Sequence, residues 1–238
     1  MEREKTKMSN SPLVSYTKLS PNHSGKRNHV IDTITIHCMA GNASVETCGA
    51  LFANPSRKAS SNYGIGSDGR IALYVDEANR SWCSSSSSND NRAITIEVAN
   101  NGGAPDWPVS NKAYAALLDL VTDICKRNGI KKLVWSTNKN DRINHKNGCN
   151  MTIHRDFSNK SCPGDYLYNR HGQIAAEVNK RLEGEEEVDI AKLISEMTNE
   201  QAYQLMQKAE LHAKTLDEPA WSKNEGHLSL IHISEPTR

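Results

Sequence analysis

Long apolar runs are missing from this 238-residue sequence, and no stretch approaches the roughly eighteen residues a membrane helix needs, which excludes a helical span. Charge of one sign is missing too. The 29 Lys and Arg against 28 Asp and Glu leave a formal net charge of +1, so neither nucleic acid nor an anionic membrane is expected as a partner. The opening MEREKTKMSNSPLV has charges but no apolar core ahead of a small-residue cleavage site. No signal peptide is therefore expected, and the chain is expected to be made in a cytoplasm. No internal repeat is evident. Without a leader, the six cysteines (Cys38, Cys48, Cys83, Cys125, Cys149, Cys162) are expected as reduced thiols and not as a disulfide framework.

What is present, 37% hydrophobic and 24% charged residues, suits one globular core with a small appendage. Residues 1–24 are polar and without period, and read as an N-terminal arm. The first firm element is a strand over residues 31–37, with Ile34 and Ile36 on one face and Thr33, Thr35 and His37 on the other. Ser44 predicts the N-cap of a short helix that stops at Asn54-Pro55. A hairpin is predicted between Tyr63 and Val75, turning at Ser67–Arg70. Residues 84–91 read as a serine-rich loop that packs little. Residues 93–99 predict a strand with Ile94, Ile96 and Val98 on one face and Thr95 and Glu97 on the other.

Ser110 to Asn128 predicts a helix, with a serine N-cap and Gly129 just past its end. A short buried strand is expected at Leu133–Trp135, a long polar loop at 138–152, and a closing helix at 165–182. An acidic hinge then leads into two helical stretches, 188–197 and 198–216, the second opened by a Thr198/Gln201 capping box. The last residues, 228–238, resemble translated sequencing-adapter read-through and are expected to be a non-native tail.

The chemistry concentrates in HRDFSNKSC, residues 154–162, and in His37 at a strand end. Catalytic zinc takes three protein ligands from His, Cys and carboxylate and leaves a fourth position to water. His37, His154 and Cys162 satisfy that count, although any two of nine histidines could equally be surface or core residues. Glu97 is the candidate carboxylate base, against the plainer alternative of a solvent-facing glutamate. Lys160 could steady a thiolate or an oxyanion, against an ordinary exposed loop lysine. Cys38 is expected on the packed face and Cys125 in the core, while Cys48, Cys83 and Cys149 have no evident partner. Tyr63 reads as packing. Trp82 and Trp107 lie in loops and could line a groove for sugar rings.

Four segments in order, ITIHCMA, ASSNYGIGSDGRI, NRAITIEVAN and HRDFSNKSCPG, resemble the motifs of the type 2 N-acetylmuramoyl-L-alanine amidases, the family of phage lysozymes and peptidoglycan recognition proteins. The resemblance covers about residues 25–182. It implies an α/β fold, a central mixed β-sheet flanked by helices, with a zinc (Zn2+) groove on one face, to which the apolar stripes after residue 183 add a short helical C-terminal appendage. It further implies cleavage of the amide between N-acetylmuramic acid and L-alanine in peptidoglycan. His37, His154 and Cys162 would hold zinc, Glu97 would activate water and Lys160 would steady the oxyanion.

The sequence departs from the pattern at Ser61, where some phage members carry a catalytic tyrosine, at Asn62 for the motif histidine, and at Thr95 for the usual glycine. TLDEPAWSKNEGH, residues 215–227, resembles the opening of C-terminal modules on Gram-positive phage endolysins, so 183–227 is expected to be an acidic hinge and a truncated wall-targeting region. An endolysin made in the host cytoplasm and released to the wall is the implied setting, with peptidoglycan as partner and no membrane insertion. The alternatives are a non-catalytic peptidoglycan-binding module, a stem-peptide metallopeptidase, or a structural zinc domain, which would need a fourth protein ligand. The sequence leaves the oligomeric state open.

Overall fold

Period-two alternation in two β-branched segments builds the centre of the molecule. In the computed structural model, which describes residues 10–184, 197–198, 200–204 and 206–208, Thr33–Cys38 and Ala93–Val98 pair in parallel and are flanked by further strands. In chain order the elements are β1 (Tyr16–Thr17), β2 (His23–Lys26), β3 (Thr33–Cys38), α1 (Val45–Ala53), β4 (Tyr63–Ile65), β5 (Ile71–Leu73) and β6 (Asn79–Ser81). They continue with α2 (Ser87–Arg92), β7 (Ala93–Val98), α3 (Asn111–Asn128), α4 (Lys139–Ile143), β8 (Met151–Thr152) and α5 (Gly164–Glu183).

The described residues form a mixed six-stranded sheet of order β1-β5-β4-β7-β3-β8, with β2 and β6 as a separate antiparallel pair. Only the β4–β5 hairpin runs antiparallel within the larger sheet, with Gly66 N–H donating to the Arg70 carbonyl across its turn. Residues 10–26, within and just past the stretch read as an arm, run along the domain, where Tyr16–Thr17 pairs with Ala72–Leu73 at the sheet edge.

Helices α1 and α3 start at serine caps. Ser44 Oγ accepts from Thr47 N–H at the head of α1, and Ser110 Oγ accepts from Ala113 N–H at the head of α3. Gly129, at φ 69°, ends α3 in the left-handed region that favours glycine. Ile34, Ile36, Ile94, Ile96 and Val98 form one core with Leu117, Leu120 and Ile124 of α3 and Leu167, Ile174 and Val178 of α5. Burying each such side chain contributes about 1.5–3 kcal/mol. On the other side of the sheet, Val45, Cys48 and Phe52 of α1 cluster with Ala72 and Tyr74.

Two expectations fail for a shared reason, side-chain amides and hydroxyls taking over backbone partners. The serine-rich stretch 84–91 is not an idle loop. Ser86 caps α2, and Asn89 and Asp90 are buried. Asn89 bonds both Thr35 and Thr152, covering the polar face of the sheet, and Asp90 accepts from the Cys83 and Ser84 amides. Leu133–Trp135 is not a strand. Its amides donate to the side chains of Asn179 and Asn150, and β8 takes the edge beside β3 instead. The 138–152 loop is subdivided by α4 and β8.

Of the C-terminal stretches, the Thr198/Gln201 capping box is formed, each residue's amide donating to the other's side chain (2.9 and 3.3 Å), ahead of helical residues 200–204. The acidic hinge beyond 184, most of the first appended helix, residues 209–227 and the 228–238 tail lie outside the described residues.

Candidate functional site

Strand register brings the first two residues of the site together. In the β3–β7 pair Thr35 lies opposite Thr95 and His37 opposite Glu97, so ring and carboxylate leave the same face at the carboxyl ends of parallel strands. On the other side of β3, Thr35 pairs with Thr152, and the chain leaves β8 straight into His154. Cys162 arrives just ahead of α5. Gly164, at φ 80°, makes the turn there, and a Cβ at this position would lie 2.7 Å from Trp107 Cβ, so glycine is required on both counts.

The convergence is close. His37 Nδ1 is 3.4 Å from Cys162 Sγ, and one ligand atom each from His37, His154 and Cys162 lies within 4.8 Å of the others. The two rings meet edge to face at 5.0 Å between centroids. Ser85, itself in the left-handed region at φ 66°, sets its hydroxyl 3.0 Å from His154 Nε2. Burial, reinforced by His154 and His171, holds His37 well below the usual imidazole range, and burial with Lys160 lowers His154. Both rings are therefore neutral near pH 7, the state in which imidazole binds a metal. The Cys38 amide points at Cys162 Sγ from 3.4 Å.

Glu97 stands on the groove floor. Burial pushes its carboxyl up to about 8 and Cys38 pushes the same way, while Arg57 and a hydrogen bond from Cys83 pull it down. Lys160 is exposed on the rim of the same groove, a cavity of about 330 Å³ that also takes in Met39, Leu51, Phe52, Arg57 and Trp82.

The donor set fits a borderline-soft dication such as zinc, with two neutral imidazoles and a thiol at one point. His37 Nε2 and Glu97 Oε2 are buried with no hydrogen-bond partner, so the site holds polar atoms that the protein itself does not satisfy.

Residues that sequence reasoning passed over also meet here. Cys38 is packed into the core as expected, yet it touches Cys162, and Cys83 lies beside Glu97. Trp82 lines the groove; Trp107 lies close against Gly164 instead. Tyr63 is fully buried and donates to Glu77 at 2.5 Å, in line with a packing role. The loop carrying His154 is anchored by a buried ion pair, Arg142 with Asp156 at 2.5 Å, for which the polar run 138–152 gave no signal beyond its charges.

A mixed α/β sheet with an open cluster of nitrogen, sulfur and carboxylate donors at its strand ends defines the class, an α/β domain with a metal-competent groove. The model for N-acetylmuramoyl-L-alanine amidases, Amidase_2, matches residues 27–165, and the chain belongs to that family. Among solved structures it is similar to AmpD (TM-score 0.52, 17% identity, covering 71% of this chain and 98% of that one). It is similar as well to the Staphylococcus aureus hydrolase AmiA in complex with its ligand (0.53, 15% identity, 70% and 82%) and to a mutant of PlyL (0.50, 17% identity, 68% and 96%). At these identities the likeness is one of fold. Comparison with curated protein sequences gives no match. No helix among the described residues is long and apolar enough to cross a membrane.

Proposed function

We propose that this chain is a zinc-dependent amidase of the endolysin type, hydrolysing the amide between N-acetylmuramic acid and L-alanine in peptidoglycan. The observation that carries the reading is the 3.4 Å approach of His37 Nδ1 to Cys162 Sγ, residues 125 positions apart, inside a domain of this family. His37, His154 and Cys162 would hold the ion. Bound zinc supplies a lowered water pKa and polarisation of the scissile carbonyl.

The remaining work falls to this chain's own groups. Glu97 accepts the proton of the attacking water as the oxygen adds to the carbonyl carbon. With an ion held by His37, His154 and Cys162, the raised Glu97 carboxyl would lie closer to the ionised form this step needs. As the tetrahedral species collapses, Glu97 passes that proton to the departing alanine nitrogen, and the lactyl carboxylate and a free stem peptide result. Lys160, at the groove rim, offers its ammonium to the oxyanion. The apolar wall of Met39, Leu51 and Phe52 with Trp82 offers contact to the sugar and lactyl groups. Cytoplasmic synthesis followed by release to the wall, with residues beyond 183 for wall targeting, belongs to the same proposal.

Digestion of purified cell walls tests it. Mass spectrometry should find stem peptides with a free alanine amine and glycan with free lactyl groups, and chelation should abolish both. Products with the muramic acid–alanine bond intact, or lysis unaffected by chelator, would overturn the reading.

A further inference from the structure

The groove holds a second trio of donors. Cys83 Sγ lies 3.9 Å from Glu97 Oε1, and one ligand atom each from His37, Cys83 and Glu97 lies within 4.8 Å of the others. Cys83 and Glu97 are not among the three residues proposed to hold the zinc of the reaction. Glu97 Oε2 adds a second observation, because it is buried with no hydrogen-bond partner and so is free to meet an ion. A thiol beside a carboxylate makes only a weak hydrogen bond, here at 3.9 Å, and no ion pair, since neither residue can be a cation. It makes a good chelating pair for a soft or borderline dication, which takes sulfur and carboxylate together, whereas magnesium and calcium prefer oxygen alone.

We propose that Cys83 and Glu97 form a second, inhibitory site for a thiophilic dication such as zinc or cadmium, filled when that ion exceeds one equivalent. His37 belongs to both trios, so with the first ion in place the second rests on Cys83 and Glu97 and is held more weakly. On entry the ion displaces the Cys83 thiol proton, and the Glu97 proton where present, to solvent, and no electron changes hands. A carboxylate engaged by the second ion cannot accept a proton from water, so turnover stops while the first ion stays bound. The inhibition rests on the reading of Glu97 as base; the binding does not.

The experiment uses the full chain, with zinc as the probe. Equilibrium dialysis follows the stoichiometry, and wall-lytic activity is recorded for each protein relative to its own rate at one equivalent. The wild type should take up a second, weaker equivalent and lose most of its rate as that equivalent fills. Cys83→Ser should stop at one equivalent and hold its rate across the same range. Cys48→Ser, which alters another thiol lining the groove, should follow the wild type. A wild type that stops at one equivalent, a Cys83→Ser protein inhibited at the same zinc concentration, or loss of the second equivalent in Cys48→Ser instead would each overturn the site. A second equivalent that depends on Cys83 but leaves the rate intact would overturn the inhibition and, separately, remove Glu97 from the role of base.

Discussion

Asn62 and Thr95, two of the positions where the sequence departs from the family pattern, are bonded to each other. The Asn62 amide donates to Thr95 Oγ1 at 3.0 Å, and Asn62 Oδ1 accepts from the Thr95 amide at 3.2 Å. The same oxygen takes Arg27 Nη2 at 2.9 Å, and Asn62 Nδ2 donates to the Val75 carbonyl. The two departures are thus one polar cluster, fully buried and tied to a buried arginine.

We predict that Asn62→His lowers stability by about 1–3 kcal/mol without raising activity, because one imidazole nitrogen cannot accept from both Arg27 and Thr95, and one buried donor is left unsatisfied while Arg27 keeps the Glu77 and Asp90 carbonyls. Chemical denaturation reads the change. A variant as stable as the parent would show that the cluster contributes nothing.

For the metal centre, His37→Ala and Cys162→Ala are expected to lose bound zinc as well as activity. Glu97→Ala should keep its zinc and lose turnover by about 10²–10⁴-fold, the range for a missing general base. Metal analysis beside a wall-lysis rate distinguishes the two classes. Retention of zinc in the Cys162 variant is the result that would remove sulfur from the ligand set.

The Arg142–Asp156 pair predicts a different kind of loss. Both side chains are buried, and Asp156 also accepts the Ile153 amide, one residue before His154. Arg142→Leu leaves an unpaired buried carboxylate, which costs about 3–5 kcal/mol. Zinc affinity should fall with it, because the loop bearing His154 loses its anchor. Thermal melts with and without zinc would record both effects. An unchanged melt would mean that the pair contributes little.

His171 predicts how the domain responds to acid. It is fully buried beside Trp135, and burial lowers it from 6.5 to about 4. Between those values the unfolded chain binds the proton and the folded one does not, so stability is complete above about 6.5 and falls as pH drops toward 4. At about 1.4 kcal/mol per unit, the loss reaches about 3 kcal/mol. His171→Gln should make that part of the stability–pH curve shallower, with His37 and His154 supplying the slope that remains; a variant with the parent's slope would assign the acid sensitivity to those two rings.

Elements with a strong period or a clear cap were legible from sequence. The Ile34/Ile36 and Ile94/Ile96 alternation, the Ser44 and Ser110 caps and Gly129 all fall where the pattern places them. The sheet's polar underside was not. Helix α2 is short and polar, and buries Asn89 for hydrogen bonds to Thr35 and Thr152, which no hydrophobic count registers. Leu133 reads as strand by composition, but its partner is an asparagine 46 residues away. His37, Glu97, His154 and Cys162 were candidates by their strand ends and reactive loop, the family resemblance singled them out, and the fold brings them to one groove. Cys83 could not be picked out, because its place beside Glu97 depends on how the segment before α2 folds back over the sheet.

The pairing of β3 with β7 carries a consequence for length. Because His37 and Glu97 sit at matched rungs, inserting one residue ahead of either would turn that side chain toward the isoleucine face and leave its counterpart stranded. Growth or shrinkage of the chain is therefore tolerable in the connecting turns, where the backbone faces water, and intolerable within these two six-residue ladders.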